Sequence, residues 1–244
     1  SKHLKDWTII SLRPQNEHAA VRLAAKRWQA KTVALSAFKL TSTADSASLR
    51  AALRCSIRIA SSPAAVRFAR EFWPLSGDWL AIGSATAQEL FRAGARSVLS
   101  PEPQNADGLL AMEKLANIKN TGIGLLTAPD GRGELERVLA KRGALLHIAY
   151  VYRREPVRLS ARQLARIDAF TEKTAFLVSS QKAFGHVWSQ LDARRQKKIK
   201  THICVTSSAR LVEYLNGLGI TRVICSQSTL PYTQISTLAA AIAQ

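Results

Sequence analysis

Acidic residues are scarce in this chain. Asp and Glu number 17 against 35 Lys and Arg in 244 residues, a formal net charge of +18 at pH 7. Carboxylates are so sparse that no pair stands out as a general acid/base couple. Cysteine is nearly absent. Cys55, Cys204 and Cys225 are odd in number, far apart and each set in an apolar stretch. That excludes a disulfide framework and a zinc site, and it points to small core residues in a reducing compartment. No run of ~18 apolar residues occurs, so no transmembrane helix is expected. The first residues, Ser1 to Asp6, lack an apolar signal core, so secretion is not expected and a cytoplasmic location is. There is no G-x-G-x-x-G, no Walker A, no H-E-x-x-H and no G-x-S-x-G. These absences remove the common dinucleotide, nucleotide-triphosphate, zinc-protease and serine-hydrolase signatures. The five His (His3, His18, His147, His186, His202) have no metal spacing, so no metal site is expected.

What is present is a globular composition, 47% hydrophobic and 21% charged. A chain of this length is expected to bury roughly 70% of its unfolded surface in one or two domains. The positive excess implies a polyanionic partner or an acidic ligand. The basic residues are dispersed at helical spacing beside apolar ones, as in Arg22, Lys26, Arg27 and Arg137, Lys141, Arg142. Only Arg194, Arg195, Lys197, Lys198 and Lys200 form a dense run, which reads as a solvated helix end. Aromatic interleaving there is poor, so a nucleic-acid partner is not expected.

Short apolar runs alternate with longer amphipathic ones. Strands are expected at 7–12, 32–38, 56–60, 79–82, 97–99, 122–126, 145–150, 175–178, 202–205 and 222–225. Helical patterns lie between most of them, at 17–28, 64–72, 85–93, 107–115, 135–142, 181–191, 209–218 and 232–243. Alternation of this kind gives an α/β class with parallel sheets covered on both faces. The polar stretch 41–48 and the charged, Pro-containing stretch 153–162 read as crossings between domains.

The chain also repeats itself. Leu23-Ala24-Ala25-Lys26-Arg27 before the strand at 32–38 corresponds to Val138-Leu139-Ala140-Lys141-Arg142 before the strand at 145–150. Ile59-Ala60-Ser61-Ser62 corresponds to Leu177-Val178-Ser179-Ser180, and Ser84-Ala85-Thr86-Ala87 to Thr206-Ser207-Ser208-Ala209. The order a, b, a′, b′ implies two similar α/β domains of about five strands each. Spacing alone leaves open which a packs with which b.

The polar signals sit where strands end and helices begin: Ser61-Ser62, Ser84 to Thr86, Ser179-Ser180 and Ser207-Ser208. Ser and Thr are the ordinary N-caps of any helix. Four such starts at equivalent points also suit a carboxylate or phosphate, because helix starts offer unsatisfied N–H groups and partial positive charge. His147 and His202 read as satisfied core or edge groups, and Asp130 as turn chemistry. Tyr152, after the strand at 145–150, reads either as an amphipathic residue packed at a rim or as a proton donor to a ligand.

These motifs together resemble the uroporphyrinogen-III synthase family along the whole chain. The resemblance rests on Leu12-Arg13-Pro14, Ile59-Ala60-Ser61-Ser62-Pro63, Ile82-Gly83-Ser84-Ala85-Thr86-Ala87, Ala106-Asp107-Gly108-Leu109-Leu110, the Gly131-Arg132 turn and Val151-Tyr152-Arg153-Arg154. It implies two flavodoxin-like domains joined by a two-stranded connector, residues 1–38 plus 170–244 and residues 42–155, with crossings at 39–41 and 153–169. It implies a cofactor-independent lyase that dehydrates hydroxymethylbilane and closes it with inversion of ring D through a spiro intermediate, in a cationic cleft between the domains. The substrate carries eight carboxylates, and a monomer without a membrane partner is expected. Tyr152 matches the family's Val-Tyr position and would be the catalytic proton donor. Arg13, Ser61, Ser62, Ser84, Thr86, Gly131, Arg132, Ser179, Ser180 and Ser208 would bind substrate. Three turns depart from the family pattern: Ser180-Gln181 lacks a Pro, Val205-Thr206-Ser207 lacks a Gly, and Leu126-Thr127-Ala128-Pro129 lacks an Arg-Gly. A non-enzymatic two-lobed binder of an acidic small molecule, or a basic nucleic-acid binder, are the alternatives.

Overall fold

The computed structural model describes residues 4–43, 45–129, 131 and 133–243. In chain order its first elements are β1 (Thr8–Ser11), α1 (Ala19–Arg27), β2 (Lys31–Ala34), β3 (Phe38–Ser42), α2 (Ser46–Leu53), β4 (Ile57–Ala60), α3 (Pro63–Arg70), β5 (Gly77–Ala81), α4 (Ser84–Arg92) and β6 (Ala95–Leu99). Then follow α5 (Ala106–Leu110), β7 (Gly122–Thr127), α6 (Glu134–Lys141), β8 (Leu145–Tyr150), β9 (Tyr152–Pro156), α7 (Ala161–Asp168), β10 (Thr174–Leu177), α8 (Gln181–Ser189), α9 (Ala193–Ile199), β11 (Ile203–Thr206), α10 (Ala209–Gly217), β12 (Val223–Cys225) and α11 (Pro231–Ile242).

Two compact units result, one of residues 1–39 with 155–244, the other of residues 40–154. The first holds a parallel sheet in the order β12-β11-β10-β1-β2. The second holds a parallel sheet in the order β6-β5-β4-β7-β8. Both are doubly wound, but numbered along the chain within each unit the first reads 2-1-3-4-5, the expected flavodoxin-like order, and the second 3-2-1-4-5, in which the strand pair that opens the first unit comes last. The repeat seen in sequence maps strand for strand: β10, β11 and β12 correspond to β4, β5 and β6, and β1 and β2 to β7 and β8. β3 and β9 pair with each other in a separate two-stranded sheet.

The inner strands are apolar along their length because both faces of each sheet are covered. All four residues of β10 and all four of β11 are buried, as are five of the six in β7. Successive side chains go to opposite faces. Ile10 and Phe176 pack on one side of the first sheet, Ile9 and Ala175 on the other. In the second unit Trp79 and Ala81 pack on one side, Leu80 and Ile59 on the other. Helices start on side-chain caps that relieve otherwise unpaired N–H groups: Asp45 for α2, Ser62 for α3, Ser160 for α7, Asp192 for α9. β7 and α2 approach so closely that a Cβ on Gly124 would fall 2.0 Å from the Ala52 carbonyl oxygen.

Several sequence expectations need correction. The single strand read over 32–38 is β2, ending at Ala34, and a separate β3 beginning at Phe38. The stretch 41–48 contains the end of β3 and the start of α2, and the stretch 153–169 holds most of β9 and all of α7. Ile167 of α7 lies in the core of the first unit. The basic run at 194–200 is α9 and its C-cap. Its Arg195 makes a two-pronged ion pair with Asp168, and Lys198 donates to the Asp168 carbonyl oxygen. The arginine hydrogen bonds to the Asp168 carboxyl hold it below the usual carboxylate range. His202 is buried between the carbonyls of Lys198 and Thr171, as a satisfied core histidine.

Candidate functional site

The second unit's sheet has its topological switch point at β4 and β7. From β4 the chain winds outward through β5 and β6 to one edge, while β7 and β8 fill the other side. In open α/β sheets the crevice beyond the carboxyl ends of such a strand pair is where ligands bind. A cavity of about 300 Å³ lies there. Its floor is Ser61 and Ser62 past β4, and Thr127 and Ala128 at the end of β7. One wall is the start of α6, from Gly133 to Glu136; another is Tyr152 and Arg154 of β9.

Each polar group is held from behind. The Ser61 hydroxyl donates to Thr127 Oγ1 at 2.8 Å, and the Ser61 N–H to the Leu126 carbonyl at 3.0 Å, so the two strand ends are tied together. Ser62 is extended, with Pro63 as the first helical residue behind it. Its hydroxyl oxygen accepts the Ala65 N–H at 3.1 Å and caps α3. The same oxygen lies 3.3 Å from the Tyr152 phenol. Tyr152 is only 3% exposed. Its ring stacks on Phe68 of α3 at 5.5 Å between centroids, and the Arg154 guanidinium sits 5.8 Å from its ring centre. The chain before it is anchored by Val151 N–H on the Thr127 carbonyl at 3.0 Å and by Thr43 N–H on the Val151 carbonyl at 3.3 Å. Among the described residues the cavity therefore presents a fixed phenol, three hydroxyls and one guanidinium, with the first turn of α6, Gly133 to Glu136, also lining it.

Of the residues singled out from sequence, Ser61, Ser62, Gly131 and Tyr152 meet at this cavity. Ser84 and Thr86 do not line it. The Ser84 N–H and hydroxyl both donate to Gln104 Oε1, at 2.9 and 3.1 Å. Thr86, the third residue of α4, is 1% exposed. Arg132 and the neighbouring Asp130 lie outside the described residues. The others belong to the first unit, at the carboxyl ends of its own sheet. Ser180 caps α8 through the Ala183 N–H and Ser208 caps α10 through the Leu211 N–H, both at 3.2 Å, and Ser179 is exposed beside β10. Arg13 reaches the Thr229 carbonyl at 3.5 Å, and burial lowers its pKa against the opposing pull of Glu17.

Sequence reasoning gave no role to Arg154, although it closes the Val151-Tyr152-Arg153-Arg154 motif, nor to Thr127, Glu134 and Glu136, which no spacing connects to Tyr152. It also passed over His18. That imidazole is 3% exposed and bridges Ser11 Oγ, 2.8 Å from Nδ1, and Ser36 Oγ, 2.6 Å from Nε2. Burial, with the charges of Arg22 and Arg13, pushes its pKa down to about 4. Among the described residues no group of His, Cys, Asp and Glu could hold a metal ion, and no helix is long and apolar enough to cross a membrane.

Comparison with known proteins bears directly on this geometry. No curated protein matches the chain. Among solved structures, a mutant uroporphyrinogen III synthase from the extremely thermophilic bacterium Thermus thermophilus is 14% identical with a TM-score of 0.58, covering 97% of this chain and 99% of that one. The uroporphyrinogen-III synthetase of Helicobacter pylori 26695 gives the same identity, TM-score and coverage. At this identity they establish the fold alone: two parallel five-stranded sheets and a small two-stranded one. The assignment comes from the sequence family. The model for uroporphyrinogen-III synthase HemD matches residues 20–231, a span that runs from α1 to the start of α11 and includes every residue of the cavity, so the chain belongs to the uroporphyrinogen-III synthase family.

Proposed function

We propose that this chain converts hydroxymethylbilane to uroporphyrinogen III and that the chemistry takes place at the cavity beside Tyr152. The observation that carries the reading is the buried Tyr152 phenol, held 3.3 Å from Ser62 and facing a cavity at the β4/β7 switch point.

In this reading the phenol protonates the hydroxyl of the substrate's hydroxymethyl group. The C–O bond breaks, its electron pair leaves with water, and the pyrrole nitrogen feeds electrons into the carbon left behind, giving an azafulvenium cation. The D-ring carbon that already bears the bridge attacks that carbon and forms the spiro intermediate. Fragmentation and reclosure invert the ring. The proton released when the last pyrrole regains aromaticity restores the phenol, so no proton is lost or gained beyond the water expelled. Unassisted closure gives the type I isomer, so holding a folded geometry is a large part of the task.

The eight substrate carboxylates suit the hydroxyls and helix starts of Ser61, Ser62 and the Gly131-Arg132 turn, and of Ser179, Ser180 and Ser208, with Arg13; Ser84, committed to Gln104, and the buried Thr86 drop out of the expected set. Charge-assisted hydrogen bonds of this kind contribute about 1.5–3 kcal/mol each. The net charge of +18 favours such a ligand. We take the chain to act as a monomer in the cytoplasm; its three cysteines are free thiols.

The deciding experiment adds the protein to freshly generated hydroxymethylbilane, oxidises the product and separates the isomers by chromatography. Type III uroporphyrin as the main product is expected. Type I alone from folded protein would mean spontaneous closure and would overturn the proposal.

A further inference from the structure

Tyr152 and Arg154 are two residues apart on β9, so their side chains leave the strand on the same face, while Arg153 leaves on the other. Both Tyr152 and Arg154 line the cavity. The guanidinium lies over the phenol ring, 5.8 Å from its centre, a cation–π distance that holds it beside the phenol. The ring is fixed by stacking on Phe68, and the phenol oxygen lies 3.3 Å from Ser62 Oγ. Tyr152 is buried and Arg154 exposed. One strand therefore brings a proton donor into the cavity and a carboxylate receptor to its edge. β7 ends in Thr127-Ala128 where the family pattern has Arg-Gly, and Arg154 brings a guanidinium to that strand end from β9. A guanidinium has five N–H donors in a planar fork, so it can take a carboxylate alongside its contacts within the protein.

The substrate presents a matching pair. On the ring of hydroxymethylbilane that carries the hydroxymethyl group, the neighbouring carbon carries an acetate arm. Resting on the synthase reading above, we propose that Arg154 binds this acetate and so delivers the adjacent hydroxyl to the Tyr152 phenol. One ring then meets two neighbouring side chains, its carboxylate on the guanidinium and its C–O bond against the proton donor. This arm differs from the substrate's other carboxylates in sitting beside the reacting carbon. Holding it orients the bond that breaks, which lowers the barrier to dehydration. An exposed ion pair adds little to affinity by itself. The remaining carboxylates still anchor the bilane, so the effect falls on kcat more than on KM. No bond to Arg154 forms or breaks and it keeps its charge, so the proton balance of the cycle is unchanged.

The test pairs two proteins with two substrates. Wild type and Arg154→Gln are assayed with freshly generated hydroxymethylbilane and with a synthetic bilane in which that one acetate is replaced by methyl. On hydroxymethylbilane, Arg154→Gln is expected to lose about tenfold in kcat, with KM changed by no more than about threefold. The wild type should lose a similar factor on the methyl analogue, and Arg154→Gln should lose nothing further on it. Arg154→Lys, which keeps the charge without the fork, should recover part of the loss. Arg153→Gln, on the opposite face of β9 and outside the cavity lining, should keep the wild-type kcat. If the guanidinium serves only to pack on the Tyr152 ring, the losses from the variant and from the analogue multiply, and that result would overturn the proposal. Arg154→Gln matching the wild type on hydroxymethylbilane would also overturn it, while type III isomer from the wild type would leave the synthase reading standing. Type I alone from the wild type would overturn both.

Discussion

The hydroxyl of Ser62 and the phenol of Tyr152 stand 3.3 Å apart although 90 residues of chain separate them. One belongs to the turn that starts α3, the other to the strand that leaves the unit. Their meeting joins a helix start, which offers N–H donors, to a phenol, which offers a proton. Phe68 lies beneath the phenol ring, so the ring's position does not depend on the hydroxyl.

That independence makes Tyr152→Phe a clean experiment. The stacking on Phe68 and the burial survive, and only the O–H is removed. Turnover of hydroxymethylbilane should fall at least several-fold, toward the ~100-fold at the low end of general acid catalysis. The melting temperature should change by no more than a degree or two. Unchanged turnover would remove Tyr152 from the mechanism.

Ser62→Ala should act on both stability and activity. The cap on Ala65 is lost, at about 1 kcal/mol, or ~2–4 °C in melting temperature for a chain of this size. Ser62→Asp restores the cap and places a negative charge beside the phenol. If Ser62 serves only as a cap, the Asp variant should regain both stability and turnover. We expect it to regain stability alone, as measured by thermal melts alongside the isomer assay.

Much of this fold could be read from the residues. The inner strands β1, β7, β10 and β11, apolar and almost wholly buried, announce themselves as short apolar runs. The a, b, a′, b′ repeat maps onto equivalent strands of the two sheets. β3 and β9 escaped notice because only Phe38, Leu40 and Tyr152 of the ribbon pack into a core, too few to set a period of two: the rest of β3 is Lys39, Thr41 and Ser42, and β9 continues Arg-Arg-Glu-Pro. α9 hid for a related reason, since its one buried residue, Ile199, gives no helical period. The site was legible only where one residue type carries chemistry in a short motif, as at Ser61-Ser62 and Val151-Tyr152. Arg154 was within reach, two residues beyond Tyr152 on β9, whereas the start of α6 at Glu134 to Glu136 comes to the same cavity through sheet order, which no local spacing encodes.

Two glycines of the second unit should respond oppositely to alanine. At Gly124 a Cβ would lie 2.0 Å from the Ala52 carbonyl oxygen, so α2 must shift away from β7. Gly124→Ala should cost about 1–3 kcal/mol in chemical denaturation. At Gly131 the nearest atom is the Ala128 carbonyl oxygen at 3.8 Å, and the backbone is not left-handed. Gly131→Ala should leave stability unchanged, so any loss of turnover in that variant would report on the cavity it lines rather than on folding.

His18 gives the fold a defined acid sensitivity. Its imidazole is neutral between Ser11 and Ser36, and its pKa of about 4 lies below the usual 6.5 because of burial first and the Arg22 and Arg13 charges second. Unfolding returns it toward 6.5, so between those values the unfolded chain binds the extra proton. The contribution of the neutral histidine is therefore complete above pH ~6.5 and is lost as the pH falls toward 4. Over that window the shift corresponds to about 3 kcal/mol. Replacing His18 by Gln, which keeps hydrogen-bonding capacity without titrating, should lower the melting temperature at pH 7.5 and flatten its dependence between pH 6.5 and 4.5. Parallel pH profiles for wild type and His18→Gln would show that the acid loss arises elsewhere and that the imidazole is not the group being charged.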